Sequence, residues 1–548
     1  MSELYPAKRA VFESAPFEFE HPSGLLESIA QLRSINSIEG AFHHGYQTMT
    51  QVFFMSDKCI KSMLRSVLGL LVVATSLIFV GCETNDYQPI IFKNKLKELE
   101  DEVRVLREEL RELKGGSSEV ATSDSTGKEK TAVNDESTDS TSKSAEPEIT
   151  TTPEDEAAAR ERLENSDVFF EVDEDGYVVE ADLLENTNQE LVDQLSSFPK
   201  LSKLILDGTK VTSETFDSLS KLKNLAYLDI ERSVIDGESI GKLKDLPKLT
   251  FLQLFKATIS EDAMEALSEF PALEQIRCAQ TRVGDDELQH LSGLKTLKAI
   301  DLSDCNRVST LGLEALTECP NLVFLKVWGK SIGDRSMDVV AKMKSLKVLG
   351  LNDTAVTDEG IAKLSDLDLT EVHLFRTQVG DQGLEVLCSM PNIVHLNLRD
   401  TRVSDEGLKQ LVALSKLKKL DLSECNSPGV TDASGATFAQ LDSLASLNLW
   451  STKFSDDGVE SLSGLSNLTW LNLDNTKISD SALKTLEGMD QLTWIHLGKT
   501  EITDAAVPSL LKLENLTYLN ISYTKISEDG YYELDDFFTP NGCEVVQP

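Results

Sequence analysis

Eight cysteines and seven histidines are the side chains from which this chain of 548 residues could most readily build metal, redox or nucleophilic chemistry. Their spacing builds none of it. No CxxC pair occurs, and neither thiols nor imidazoles fall at zinc-ligand intervals, so no metal and no disulfide framework is expected. His21, His43 and His44 sit in an N-terminal tract of irregular pattern, and the other four are scattered. Among those, His496 has no nucleophile or carboxylate dyad fixed beside it by any motif, so it reads as a surface polar contact rather than a catalytic base. Asp173, Asp175 and Gly176 begin like a calcium loop, but the remaining ligands and the distal glutamate are missing, which makes a tight turn the better account. No catalytic residue and no cofactor is expected, and the chain does not read as an enzyme. The more telling residues are the four tryptophans, Trp328, Trp450, Trp470 and Trp494, because they occupy two fixed places in a repeating register.

That register begins at Leu201 and has a period of 24 residues, plain in LTWLNLDNTKISDSALKTLEGMDQ from Leu468 and LTWIHLGKTEITDAAVPSLLKLEN from Leu492. Fourteen copies run through 201–530, preceded by a degenerate entry copy near Val178. Positions one, four and six of a copy are aliphatic almost throughout, as in Leu516, Leu519 and Ile521, with Cys278 the one substitution at position six; a period of two turns four and six inward from a short strand. Position nine is Thr in nine copies, including Thr281, Thr401 and Thr476. Near position twelve, Ser, Thr or Gly precedes Asp or Glu, as in Ser404-Asp405-Glu406, which predicts helix N-caps. Apolar residues at sixteen and nineteen, such as Leu483 and Leu486, give the helix one face to pack behind the strand.

With LxxLxLxx(N/C/T)x(L/I/V) carried by each copy, in some cases loosely, the sequence resembles the leucine-rich-repeat family over about two thirds of its length. The resemblance implies an α/β solenoid, a horseshoe with parallel strands on the concave face and short helices outside. It also implies a buried ladder in which position-nine side chains bond to loop backbone. Cys305-Asn306 and Cys425-Asn426 resemble the cysteine-containing subclass and imply packing rather than redox roles for those thiols. One copy buries too little apolar surface to offset its ordering entropy, so copies stabilise one another and the ends need caps. Those are expected over 160–200, with a hairpin from Phe169 to Leu183 turning at Asp175-Gly176, and over 531–548, where the period is abandoned.

In such a solenoid, positions three, five, seven and eight leave the core and face the concave side. Trp470, Trp494 and Tyr518 share column three of consecutive copies and are expected to stack, with Trp450 and Tyr523 nearby. Phe251, Phe255, Phe324, Trp328 and Phe375 form a second, looser group. Asn448, Asn472, His496 and Asn520 line column five. Aromatic clusters exposed on a rigid surface are anchors for binding, which makes Phe255, Phe324, Trp328, Phe375, Trp450, Trp470, Trp494, His496, Tyr518 and Tyr523 the candidate ligand residues. The alternative is that the aromatic column packs against itself as cross-strand pairs do.

A net charge of −39 excludes nucleic acid as a natural partner. Residues 63–82 pair Arg65 with sixteen uncharged residues from Ser66 to Gly81 and read as a secretory signal. Phe79-Val80-Gly81-Cys82 resembles a bacterial lipobox, with Phe79 where Leu is usual; the resemblance implies lipidation of Cys82, and an uncleaved anchor helix is the alternative. Residues 1–62 then read as a mis-assigned start, with Met55 or Met63 opening a normal signal. Apolar residues from Phe92 to Leu113 recur at steps of four and three, a heptad seam within 90–114 that suits a dimer or trimer stalk or a lone helix. Residues 115–156, rich in Ser, Thr, Asp and Glu, read as a flexible acidic tether. The whole is read as a protein of the cell envelope, extracytoplasmic and membrane-anchored, whose concave face binds a protein or peptide, with an envelope polysaccharide as the other ligand its lining suits. A structural envelope spacer is the competing reading, and an adaptor resembling ubiquitin-ligase leucine-rich-repeat proteins ranks last.

Overall fold

The computed structural model describes residues 168–183, 189–206 and 211–547, together with Glu156, Ala157, Ala159, Arg160 and Leu163. The tract 1–62, the signal 63–82 with Cys82, the heptad helix 90–114 and all of the tether 115–156 except Glu156 lie outside these residues.

The fourteen copies each contribute one strand to a single sheet of seventeen, in which neighbours along the chain are neighbours in space. Pairing is parallel and keeps repeat positions in register: Trp470 faces Trp494, Leu471 faces Ile495 and Asn472 faces His496. The strands are short, as in Trp470–Asn472, because only positions three to five run extended before the chain turns away. Short helices such as Asp480–Leu486 return the chain along the other side of the sheet. Between the two layers the aliphatic positions close up; in the copy from Leu468, the side chains of Leu468, Leu471, Leu473, Ile478, Leu483 and Leu486 are all buried. This is an α/β repeat solenoid.

Two polar ladders run alongside that apolar one. Position-nine hydroxyls donate to the carbonyl three residues back, as Thr476 does to Leu473 at 2.6 Å and Thr500 to Leu497 at 2.6 Å. On the helix side, an Asp in the first turn of one copy accepts both the N–H and the hydroxyl of the residue that caps the next helix, as Asp381 does from Ser404 at 2.8 and 2.6 Å. These Asp residues therefore join copies, a role beyond the N-cap chemistry expected from sequence.

The ends are closed by added strands. Phe169–Val172 and Val178–Asp182 pair antiparallel, and the second then pairs parallel with Lys203–Ile205. Asp173 closes the hairpin by accepting from the N–H groups of Asp175 and Tyr177 and is ion-paired to Lys200 at 2.9 Å, so its carboxylate is engaged as turn chemistry rather than as a calcium ligand. Glu156, at the end of the expected tether, belongs to this cap: its carboxylate is buried and accepts from the Val178 N–H at 2.7 Å. At the other end, the helix Glu528–Phe538 buries Leu534 and Phe538, and beyond it Glu544–Val546 pairs with Tyr518–Asn520, continuing the sheet after the periodic signature has ended.

Candidate binding face

Columns three and five belong to the strands, whereas seven and eight lie beyond them. At position eight the backbone is left-handed in every described copy from Leu225 onward. Twelve non-glycine residues, including Arg232, Asp400, Lys499 and Tyr523, have φ between 49° and 60°, and Gly329 takes the thirteenth place. That conformation costs an L-residue about 1 kcal/mol. It is offset by a bond from its N–H to the position-seven carbonyl of the next copy, as from Ser451 to Asp474 at 2.9 Å and from Lys499 to Ser522 at 2.8 Å.

Column five has a structural duty that the sequence did not disclose. The side-chain acceptors of Asn397, Asp421, Asn448, Asn472 and Asn520 each receive the N–H two residues on, which ends the strand. His496 does the same through Nδ1, receiving the Gly498 N–H at 3.2 Å. Burial, reinforced by Lys499, lowers its pKa to about 4, so the ring is neutral and its proton resides on Nε2. The amide oxygens expected to line a ligand are thus already in use; the nitrogens of Asn472 and His496 remain as donors.

Trp470, Trp494 and Tyr518 form a continuous stack. Trp470 and Trp494 lie 4.2 Å apart between ring centroids at 11°, and Trp494 and Tyr518 lie 4.8 Å apart at 4°. The spacing matches that of the strands, so each strand supplies one ring plane. All three rings are half-buried and none belongs to the apolar core. Their inner faces are closed against one another, which leaves edges along the ladder and two outer faces, that of Trp470 towards Ser446 and that of Tyr518 towards Glu544.

Phe375 and Trp450 are tied into a different device. Arg399, buried, places its guanidinium 4.5 Å from the Phe375 ring centroid and 4.9 Å from that of Trp450, while its Nε donates to Glu424 at 2.8 Å. Arg376 covers Phe375 as well, at 4.4 Å, and pairs with Asp353 at 2.9 Å. A second stack missed by sequence joins Tyr227 to Phe251 at 4.4 Å and 15°, with Lys203 over Tyr227 and Arg277 over Phe251. Phe255 lies under Lys256, and Phe324 under Lys326, at 4.7 and 5.5 Å. The indole nitrogen of Trp328 is buried and meets no acceptor among the described residues. Tyr523, at 70% exposure, is the most open of the candidates and lies 5.9 Å from the Lys499 ammonium. The candidates therefore divide into a C-terminal stack, an arginine sandwich and single rings.

The histidines read as scattered include two that share one carboxylate. Glu371 bridges His373 at 2.6 Å and His395 at 3.2 Å. Its hydrogen bond to His373, with both nearby imidazoles, holds the carboxyl down at about 2. Glu371 and His395 are register partners 24 residues apart, so the repeat period was the signal that could have found them. The thiols of Cys305 and Cys425 are buried and donate to the Cys278 and Leu398 carbonyls at 3.0 Å each, filling the ladder slot in place of Thr. Among the described residues no group of His, Cys, Asp and Glu could hold a metal ion.

A parallel-stranded repeat solenoid whose strand face carries aromatic stacks and whose helix face is sealed by repeat-to-repeat bonds is built as an interaction scaffold. Two family models described as leucine-rich repeat match the sequence, one over residues 442–502 and the other over 293–316, 367–388 and 389–412. The chain is a leucine-rich-repeat protein. Repeats of this family generally bind other proteins and are typically not catalysts. Among solved structures, an internalin of Listeria monocytogenes is 21% identical, covering 66% of this chain and 88% of its own, with a TM-score of 0.38. A leucine-rich-repeat protein of Leptospira interrogans is 19% identical over 64% of this chain and 91% of its own, with a TM-score of 0.39. Internalin C2 of Listeria monocytogenes is 18% identical over 48% and 92%, with a TM-score of 0.28. No curated protein matches the sequence.

Proposed function

We propose that this is a membrane-tethered, extracytoplasmic, non-catalytic binding protein that grips a partner protein with the C-terminal part of its strand face. The stack of Trp470, Trp494 and Tyr518 carries this reading. In a chain of net charge −39, columns three, five, seven and eight of the last four copies hold one cation, Lys499, and one anion, Asp474, among aromatic and amide side chains. A nearly neutral aromatic patch on an otherwise acidic, self-repelling molecule is a place where another protein can approach. The tether follows from the uncharged run ending in Cys82, and the acidic segment 115–156 would give the head its reach.

The test has two arms. The full chain, expressed with its N-terminal segment, should partition with membranes and incorporate labelled fatty acid, and Cys82→Ser should abolish the incorporation. Captured partners should be lost on Trp494→Ala while the thermal unfolding of the variant stays cooperative; capture that is indifferent to every substitution in the stack would refute the binding face.

A further inference from the structure

Column three across the last strands reads Lys419, Ser446, Trp470, Trp494, Tyr518 and Glu544, each in register with the next. From Trp470 to Tyr518 each strand contributes a ring plane, but at Ser446 the side chain stops at its hydroxyl and at Glu544 it is a carboxylate. Trp470 has Trp494 as its sole ring neighbour among the described residues. Two strand spacings, roughly 9.6 Å, separate the Lys419 and Trp470 positions, and this is the room that one interposed ring needs. Lys419 is exposed and has no carboxylate partner among the described residues.

The opposite end of the same column shows the arrangement with the ring in place. There Lys203, Tyr227 and Phe251 follow one another on adjacent strands, with the Lys203 ammonium 5.4 Å from the Tyr227 centroid and Tyr227 stacked on Phe251 at 4.4 Å. Lysine, ring, ring is thus a packing this protein already uses. At the C-terminal end it becomes lysine, serine, ring, ring, ring.

We propose that the step above Ser446 is a subsite for one aromatic side chain of a partner polypeptide, stacked on the outer face of Trp470 and covered by the Lys419 ammonium. The proposal rests on the reading of this face as protein-binding and specifies what it recognises. An aromatic ring gains from both walls, by stacking on the indole and by attraction of the cation to its π face. An aliphatic chain gains from neither electrostatic term. A sugar ring presents C–H hydrogens on both faces, which suit the indole but gain nothing from an ammonium. Asn472 Nδ2, one strand from the step, and His496 Nε2, two strands from it, are donors whose acceptor atoms are already bonded to backbone, and peptide carbonyls of the segment that carries the inserted ring are the groups they match.

The probes are N-acetyl-tryptophanamide, N-acetyl-leucinamide and chitotriose, applied to the full chain in saturation-transfer NMR. The tryptophanamide ring protons should saturate most strongly, and Ser446→Trp, which fills the step from within, should weaken the probe about tenfold or more while the cooperative unfolding of the protein persists. Lys419→Met should weaken it several-fold and disturbs nothing buried, so it decides the matter if the larger substitution alters folding. Equal saturation by the leucinamide, preferential binding of chitotriose, or tryptophanamide binding unchanged in both variants would overturn the subsite. Capture of partner protein separates the two ideas: capture that survives Ser446→Trp but not Trp494→Ala overturns the subsite alone.

Discussion

Asp480 holds Thr503 twice, taking its backbone N–H at 2.7 Å and its hydroxyl at 2.8 Å, across the boundary between one repeat and the next. The same clamp joins Asp334 to Thr357, Asp405 to Thr431, Asp432 to Ser455 and Asp456 to Ser479. A carboxylate accepting two bonds from a capping residue satisfies a helix N-terminus while fixing the distance between copies. Asp480→Ala should cost about 1–3 kcal/mol, since it removes charge-assisted bonds and orphans donors. Urea unfolding followed by circular dichroism measures the cost, and amide exchange should quicken at Thr503 before distant repeats. Unchanged protection at Thr503 would show that the clamp is incidental.

Glycine completes that clamp, which is why the repeat favours it two residues after several of these Asp residues. A Cβ at Gly383 would lie 2.6 Å from Asp358 Oδ1 and 2.7 Å from Val379 Cγ1, and one at Gly458 would lie 2.6 Å from Asp432 Oδ1. Gly383→Ala should therefore destabilise by about 1–3 kcal/mol even though alanine is the better helix former. A midpoint of denaturation equal to the wild type would mean that the Asp can move aside.

The fold was legible because the aliphatic places repeat every 24 residues and burial leaves them little choice of type. The stack of Trp470, Trp494 and Tyr518 was legible for the same reason, since equal positions in successive copies must be neighbours. What stayed hidden depends on pairings that cross copies or on backbone shape. Arg399 reaches past Ser423 to Trp450, and no local pattern announces a contact that skips a strand. The left-handed residues at position eight are Arg, Lys, Asp, Glu, Gln, Ser, Asn and Tyr, a set with no common signature, because the next repeat's carbonyl fixes the conformation. The Asn and His of column five looked like ligand lining; their acceptors serve the strand ends instead.

Arg399→Lys should be far from conservative. The guanidinium lies 4.5 Å from the Phe375 ring centroid and 4.9 Å from that of Trp450 while its Nε donates to Glu424, and a lysine ammonium, a compact point charge, cannot cover both rings and keep that bond. Losing it leaves Glu424 facing Asp400, whose carboxyl is already raised by burial and by Glu424. A loss of about 2 kcal/mol is expected in urea unfolding. Glu424→Gln in the same background should recover part of it, because the repulsion is then gone; no recovery would place the whole cost in the lost stacking.

His496 makes the acid response of the binding face predictable. Its imidazole is held to about 4 by burial and Lys499, against an ordinary value near 6.5. Between those values the unfolded chain takes up a proton that the folded chain refuses, so the contribution of His496 is fully present above 6.5 and is lost as pH falls towards 4. NMR titration of its ring protons should give a midpoint near 4. Asn occupies the same column at 472 and 520 and can accept the Gly498 N–H without titrating, so His496→Asn should match the wild type at neutral pH and be the more stable protein at pH 5. A ring that titrates near 6.5 would mean that water reaches it freely.

The stack itself can be checked without any partner. Two indoles 4.2 Å apart and 11° from parallel couple their transitions, as isolated indoles do not, so the protein should show an exciton couplet in circular dichroism. Trp470→Phe and Trp494→Phe should each erase it, whereas Trp328→Phe should leave it, since Trp328 has no ring partner among the described residues. The two substitutions differ in what else they break. Trp494 stacks on both sides, so trimming its indole to a phenyl ring shrinks two contacts and should destabilise by about 1–3 kcal/mol, while Trp470, stacked on one side, should cost roughly half as much. If Trp494→Phe left the couplet standing, the rings would not be stacked in solution, and the neutral aromatic patch would lose the rigidity that lets it act as an anchor.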